Sequence, residues 1–139
     1  MNILVMGLPG SGKTTFATKL AEKLKATHLN ADTIRKEYDD WDFSEEARHR
    51  QSERMFILSR KATTQYVVMD FVCPLLECRD KIDAEYVIWM DTIDKSRYED
   101  TNQMFVPPST EEYDLRLSKY YTEDDLNFVS QLVDKMSKL

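Results

Sequence analysis

The sequence predicts an α/β fold, in which helices cover both faces of a mainly parallel central sheet of about five strands. Short apolar runs alternate along the chain with segments of helical periodicity. A glycine-rich turn joins the first apolar run directly to the first helical segment. With 139 residues, of which 42% are hydrophobic and 32% charged, the chain is predicted to form one domain, residues 1–139.

The first half of the chain predicts an alternation of strands and helices. Residues 2–6 are apolar and are followed by glycine, which is typical of a buried strand. Apolar residues recur at every fourth position from Phe16 to Leu24, which indicates a helix. Asn30 or Asp32 can cap the next helix, and Ser44 can begin another. The predicted elements are strands over 2–6 and 27–30 and helices over 15–25, 31–37 and 44–62.

The second half contains two strongly apolar strands and ends in an amphipathic helix. Pro107 and Pro108 interrupt regular structure after these strands and before the last helix. Thr122 can cap the last helix, whose apolar stripe starts at Leu126. The predicted elements are strands over 66–70, 84–90 and 113–117, helices over 75–81 and 123–137, and a segment over 91–102 that begins as a helix.

The turn between the first strand and helix reads Gly7-Leu8-Pro9-Gly10-Ser11-Gly12-Lys13-Thr14. In this context the pattern predicts a P-loop, whose backbone N–H groups and following helix bind a phosphate chain. Lys13 can reach the β- and γ-phosphates, and the Thr14 hydroxyl can ligate Mg²⁺. The motif therefore predicts the three-layer P-loop NTPase fold, with ATP bound by Gly7, Pro9, Gly10, Ser11, Gly12, Lys13, Thr14 and Thr15.

Ligands of parallel α/β sheets bind beyond the carboxyl ends of the strands. That rule predicts one cleft surrounded by the four segments that leave strands on the P-loop side. These segments are 7–14, 31–35, 71–73 and 91–97.

Charged residues in and near these segments are candidates for binding the phosphate acceptor. Asp32 could polarise an acceptor hydroxyl or hold Mg²⁺ through water, and Arg35 could clamp a phosphate or carboxylate. A helix cap and a surface salt bridge are the alternatives for these two residues. Arg48 shares one helical face with Gln51 and Met55, and we expect it to face an anion. The alternative is a solvated basic face.

Other polar side chains have less defined roles in the sequence. Asp70 ends an apolar strand, as a Walker B carboxylate that binds Mg²⁺ or its waters would, although small kinases often use this position differently. Cys73 is expected to be buried rather than reactive. His28 and His49 lack metal-ligand spacing, and no role is assigned to either.

Lys95 and Arg97 follow the 84–90 strand. In nucleotide kinases a mobile lid at this position brings cations over the γ-phosphate. The alternative is a helix with exposed charges.

The order of these motifs resembles that of the adenylylsulfate kinases, P-loop enzymes that phosphorylate the 3′-hydroxyl of adenylyl sulfate with ATP and Mg²⁺. The resemblance covers roughly residues 1–100. The matching motifs after the P-loop are Asn30-Ala31-Asp32-Thr33-Ile34-Arg35, Phe43-Ser44-Glu45-Glu46-Ala47-Arg48, Phe71-Val72-Cys73-Pro74 with Arg79, and Met90-Asp91-Thr92.

The resemblance implies a role for each matched residue. Asp32 would orient the 3′-hydroxyl or its Mg²⁺, Arg35 and Arg48 would grip the phosphosulfate, and Phe43 would stack on the adenine. Phe71 and Val72 would line the pocket, with Gln51 and Cys73 at substrate-binding positions of the family. The sequence departs from the family at Asn30, Ala31, Gln51, Cys73 and Leu75-Leu76, and its lid keeps few cations.

Composition restricts partners and location. The chain carries 25 acidic and 19 basic residues, a net charge of −6, which disfavours long nucleic acids and anionic membranes. Two cysteines give no disulfide framework, and no apolar run reaches membrane-spanning length. A cytoplasmic protein with a small nucleotide substrate is expected, and a homodimer is left open.

These observations predict an ATP- and Mg²⁺-dependent kinase, a phosphotransferase with an alcohol group as acceptor. Adenylyl sulfate is the leading acceptor. The alternatives are a kinase for another small nucleotide or a 5′-hydroxyl polynucleotide, and an ATP-binding protein with little turnover.

Overall fold

In the computed structural model, which describes residues 1–139, one five-stranded sheet is flanked by six helices. No helix combines the length and apolar character needed to cross a membrane. The strands are β1 (Asn2–Met6), β2 (Thr27–Asn30), β3 (Val67–Phe71), β4 (Tyr86–Met90) and β5 (Leu115–Leu117). The helices are α1 (Lys13–Leu24), α2 (Ala31–Glu37), α3 (Glu45–Lys61), α4 (Leu76–Ile82), α5 (Glu99–Met104) and α6 (Glu123–Met136).

The sheet has the order β2-β3-β1-β4-β5, and every neighbouring pair of strands is parallel. The α/β fold with five parallel strands, predicted from the sequence, is confirmed. Val5 of β1 pairs with Asp70 of β3 on one side and with Ile88 of β4 on the other. The carboxyl ends of the three central strands therefore lie side by side.

Alternation along the strands divides the core into two layers. Ile3 and Val5 of β1 belong to one buried cluster, which packs beneath α1 and α6. Leu4 and Met6 belong to the other, which packs against α2, α3 and α4. The result is the three-layer arrangement that the sequence predicts.

Side-chain caps fix where three of the six helices begin. The Ser44 hydroxyl accepts a hydrogen bond from the backbone N–H of Ala47 at 3.2 Å, at the start of α3. Thr122 caps α6 as part of a capping box. Of the two candidates for α2, Asn30 is the cap, since its side chain accepts from the Thr33 N–H at 2.9 Å. The start of α1 differs, because Gly12 offers no side chain there.

The prediction of a helical start in 91–102 is wrong for its first part. Residues 91–98 have no helix, and α5 begins only at Glu99. Asp91 is held by Arg116, whose Nε and Nη2 donate at 2.9 and 2.6 Å, and Thr92 donates to the Ser11 carbonyl at 2.8 Å. These contacts draw the chain out of β4 and across the glycine-rich loop. The other predicted elements are confirmed, with ends shifted by at most two residues.

Candidate active site

A cleft of about 750 Å³ lies beyond the carboxyl ends of the strands. All four segments that the sequence places around one cleft contribute to its wall. Lys13 lies on the glycine-rich side, and Asp32 and Arg35 lie on the α2 side. The remaining lining residues are Pro9, Gly10, Ala31, Trp41, Phe43, Arg48, Asp70, Phe71, Val72, Ile93, Lys95, Ser96, Arg97, Tyr98, Asp100 and Thr101.

The glycine-rich loop presents backbone N–H groups without partners inside the protein. No protein acceptor satisfies the amides of Gly10, Gly12, Lys13, Thr14 and Thr15, and the first bonded amide of the helix is that of Phe16. Gly12 has a left-handed conformation, with φ of 92°, as it leads into α1. Unpaired amides at a helix N-terminus form an anion site, because the helix dipole adds to their partial positive charge.

Two side chains from other elements hold the carbonyl side of this loop. Thr92 donates to the Ser11 carbonyl at 2.8 Å, and Tyr120 donates to the Gly10 carbonyl at 2.9 Å. The Tyr120 ring also packs against Gly12, where an added Cβ would lie 3.2 Å from it. With the carbonyls held on one side, the free amides keep a fixed orientation.

Lys13 is partly buried at the cleft wall. Burial lowers the pKa of its ammonium, and the negative charges of Asp70 and Asp32 oppose that shift. None of the ion pairs of the structure includes Lys13. A cation in this position is a ready partner for a bound anion.

A polar network connects the start of α1 to β2 and β3. Asp70 is almost fully buried and uses both of its carboxylate oxygens. Its Oδ1 accepts from the Thr14 hydroxyl at 2.8 Å and from Asn30 Nδ2 at 2.9 Å, while its Oδ2 lies 2.5 Å from Nε2 of His28.

The oxygen donors near Lys13 are suited to Mg²⁺. The Thr14 hydroxyl and the carboxylates of Asp70 and Asp32 are hard ligands, the type that Mg²⁺ prefers. No group of three or more His, Cys, Asp and Glu side chains is arranged to hold a metal alone. A magnesium ion here would therefore depend on phosphate oxygens and water for most of its ligands.

Two arginines of the cleft wall lie close to the ring of Phe43, which is itself 40% exposed. The Arg35 guanidinium lies 4.4 Å from the ring centroid and that of Arg48 lies 5.5 Å from it. Burial lowers the pKa of both guanidinium groups, and for Arg35 the charge of Arg48 lowers it further. Two cations that are close together and short of counter-charge favour an anionic ligand.

The same arginines also support the loop that carries Phe43. Arg35 Nη1 donates to the carbonyls of Asp40 and Asp42 at 3.3 and 2.8 Å, and Arg48 Nε donates to the Phe43 carbonyl at 2.9 Å. Each guanidinium has five N–H donors, so several remain for a ligand. We call residues 39–43 the acceptor-side loop.

Arginines of α3 fix the base of the acceptor-side loop. Arg50 donates twice to the Asp40 carboxylate, at 3.0 and 3.1 Å, and Arg54 donates once at 3.1 Å. The hydrogen bonds from Arg50 are the largest cause of the strongly lowered pKa of Asp40. Asp40 is thus ionised and pinned at neutral pH.

The segment after β4 closes the third side of the cleft. Lys95 and Arg97 both line it, as do Asp100 and Thr101 of α5. Thr101 is buried and accepts a hydrogen bond from Arg48 Nη2 at 2.9 Å. This segment brings two cations to the cleft and also contacts Arg48.

Several residues expected at the site lie outside the cleft wall. The Gln51 amide is fully buried, donating to the Ala31 carbonyl at 2.9 Å and accepting from Arg54 at 2.8 Å. It joins α3 to α2 and does not line the cleft. Cys73 is fully buried, as expected, and burial raises the pKa of its thiol well above the usual value. Also outside the wall are Gly7, Ser11, Gly12, Thr14 and the exposed Thr15.

Sequence reasoning missed three contributors to the site. His28 lies on β2 two residues before Asn30, on the same face of the strand, and that spacing is its only sequence signal. Tyr120 and Thr101 come from segments that have no motif. Only the tertiary fold brings these three side chains to the cleft or to its supporting network.

Comparison with known proteins supports the same architecture. Residues 3–69, just under half of the chain, match the sequence model of a family described as an AAA domain. An adenylate kinase from Streptococcus gordonii is 57% identical over 30 residues, which make up 22% of this chain and 14% of that enzyme. The chain thus covers only a small part of the length of that curated relative.

Solved structures resemble the chain over nearly its whole length. The APS kinase of Mycobacterium tuberculosis in complex with AMPPNP and APS has a TM-score of 0.74 and 21% identity, with 96% of each chain covered. A gluconokinase from Sinorhizobium meliloti 1021 has a TM-score of 0.65 and 16% identity, over 98% of this chain and 97% of that one. The chain has a P-loop kinase-like fold.

Proposed function

We propose that this protein is an ATP- and Mg²⁺-dependent kinase that phosphorylates the 3′-hydroxyl of adenylyl sulfate, in the cytoplasm. The observation that carries the proposal is that Asp32, Arg35 and Arg48 line the same cleft as Lys13. A donor site for a phosphate chain thus faces an acceptor site that combines a carboxylate with two cations.

The donor half of the reaction follows from the P-loop. Its free amides and Lys13 would hold the triphosphate, and the Thr14 hydroxyl, with Asp32 acting through water, would ligate Mg²⁺. Lys95 and Arg97 stabilise the charge that develops on the transferred phosphoryl group. Magnesium, when bound, supplies further neutralisation of that charge.

The acceptor half assigns the transfer step to Asp32. The acceptor hydroxyl oxygen forms the new bond to the γ-phosphorus while the bond to the β–γ bridging oxygen breaks, and the hydroxyl proton passes to Asp32. Arg35 and Arg48 bind the anionic end of the acceptor, and Phe43 stacks on its base. Phe71 and Val72 form the apolar floor.

The test measures transfer of the γ-phosphate from ATP to adenylyl sulfate, with GMP, gluconate and a 5′-hydroxyl oligonucleotide as competing acceptors. Preferred phosphorylation of adenylyl sulfate supports the proposal. Preference for another acceptor retains the kinase and refutes its substrate. ATP binding without transfer to any acceptor supports a nucleotide-binding protein with little turnover.

Arg48→Ala is expected to weaken acceptor binding more than ATP binding, because Arg48 lies on the acceptor wall of the cleft. Loss of a charged hydrogen bond predicts roughly a tenfold or larger increase in the KM for the acceptor. Arg60→Ala serves as the matched control, since Arg60 is exposed near the far end of the same helix. Equal losses for both ligands in Arg48→Ala contradict its assignment.

A further inference from the structure

The polar network around Asp70 follows from the register of β2 and β3. Asn30 pairs with Asp70, and His28 pairs with Val68. Because side chains two residues apart point to the same face of a strand, His28 and Asn30 both face the layer that contains α1. Thr14, in the first turn of α1, completes the group.

The three partners of Asp70 divide between its two carboxylate oxygens. An ionised carboxylate only accepts hydrogen bonds, so Thr14, Asn30 and His28 all act as donors. Thr14 and Asn30 share Oδ1, whereas His28 alone contacts Oδ2, at 2.5 Å. Without His28 the Asp70 carboxylate would keep two donors, both on Oδ1, and it could rotate about its Cβ–Cγ bond.

The Thr14 hydroxyl depends on this carboxylate for its orientation. Since its single hydrogen is donated to Asp70, its lone pairs are directed away from Asp70. Those lone pairs are what a hydroxyl offers to a cation. The direction of the Asp70 carboxylate therefore sets the direction of the Thr14 lone pairs.

We propose that His28 is a positioning residue, which fixes the Asp70 carboxylate and through it the Thr14 hydroxyl for binding of the Mg²⁺–nucleotide. This inference rests on the proposed function, since it needs a magnesium–nucleotide complex at the P-loop. His28 does not line the cleft, and its side chain is 22% exposed at the edge of the network. Mutating a residue that hydrogen-bonds to a metal ligand typically lowers metal affinity or activity by about 10-fold to 100-fold.

The experiment measures binding of AMPPNP by calorimetry, once with MgCl₂ and once with EDTA. The variants are His28→Phe, which keeps a ring but removes the donor, and His28→Gln, which keeps a donor. Thr27→Val is the matched control, since Thr27 lies on the same strand but bonds Thr64 at 2.7 Å instead of Asp70. Thermal unfolding of each variant is recorded, and His28→Leu replaces His28→Phe where that variant does not fold.

The expected result is selective. His28→Phe should lose about tenfold or more of its affinity for AMPPNP with Mg²⁺ and none of its affinity in EDTA. His28→Gln should recover most of that loss, and Thr27→Val should match the wild type. In a Thr14→Val background His28→Phe should cause no further loss, because both changes remove the same effect.

Three outcomes overturn the inference. Unchanged Mg²⁺-dependent affinity in His28→Phe removes His28 from the network's function while leaving the kinase proposal in place. Equal losses with and without Mg²⁺ assign His28 a purely structural role. Wild-type protein that binds no AMPPNP, or binds it without any effect of Mg²⁺, refutes the proposed function itself and the inference with it.

Discussion

Replacing Gly7 by alanine is expected to destabilise the protein far more than the same change at Gly10. Both glycines have positive φ values, 153° and 87°, which alanine rarely adopts, so each substitution carries backbone strain of about 1–3 kcal/mol. The two positions differ in the space around them. A Cβ at Gly7 would lie 2.6 Å from the Met90 carbonyl oxygen, whereas at Gly10 the nearest atom is Ile93 Cδ1 at 3.7 Å.

The clash at Gly7 involves backbone and has little room to relax. Met90 ends β4, which is hydrogen-bonded between β1 and β5, so moving its carbonyl disturbs two strand pairs. Overpacking of this kind costs about 1–3 kcal/mol beyond the strain that both variants share. For a domain of this size, each kcal/mol corresponds to roughly 3 °C in melting temperature.

Urea unfolding of the Gly7→Ala and Gly10→Ala variants measures this difference directly. The expected result is a lower midpoint for Gly7→Ala with an unchanged slope, which means a loss of stability without a change in compactness. Equal midpoints would refute the reasoning, because the close contacts with Met90 and Ser11 at position 7, which position 10 lacks, are expected to separate the two variants.

Three further predictions concern the glycine-rich loop and the acceptor-side loop. Lys13→Met should remove the stabilisation of about 2.7 kcal/mol that Mg²⁺–AMPPNP gives at 100 times its Kd, and it should raise the melting temperature of the free protein, because burial disfavours the charged lysine. That gain should be constant at pH values below the lowered pKa of Lys13, decline as the pH rises above it, and vanish near the ordinary lysine value of about 10.5. A gain that persists above that pH contradicts the assignment. Asp40→Asn should lower the free energy of unfolding at pH 7. The difference from the wild type should shrink as the pH falls below about 4, because the carboxyl of the unfolded chain protonates there. A difference that persists in strong acid would argue against the ion pairs with Arg50. Tyr120→Phe should cost about 1 kcal/mol and weaken AMPPNP binding through loss of the bond to the Gly10 carbonyl, and unaltered nucleotide affinity would show that the loop holds its shape without it.

The elements and the donor side of the cleft were predictable from the sequence because their signals are local. Apolar periodicity marked the strands and helices, and Ser44 and Thr122 marked helix starts that the structure confirms. The position of the cleft followed from a topological rule that needs only the order of the strands. Arg35 and Arg48 both reach the cleft wall, Arg35 from α2, which directly follows β2, and Arg48 from the first turn of α3.

The rest depends on contacts between segments far apart in sequence. Strand register places His28 beside Asp70, 42 residues away, and no pattern in either segment encodes that pairing. Gln51 shares a helical face with Arg48, but the nearby Ala31 carbonyl takes its amide away from the cleft. The helical start expected after Met90 failed because Thr92 bonds the glycine-rich loop instead of continuing a helix.

In the acceptor-side loop, the main chain and the aromatic side chains have different environments. Its main-chain carbonyls accept hydrogen bonds from guanidinium groups of α2 and α3, while the side chains of Trp41 and Phe43 are about half exposed. Substituting those two rings therefore changes what the wall touches without moving the wall, whereas substituting the cations beneath shifts everything above them. Under the proposed function, substitutions at Trp41 and Phe43 would alter which small molecule this wall accepts, and the glycine-rich loop that binds the phosphate chain would keep its structure.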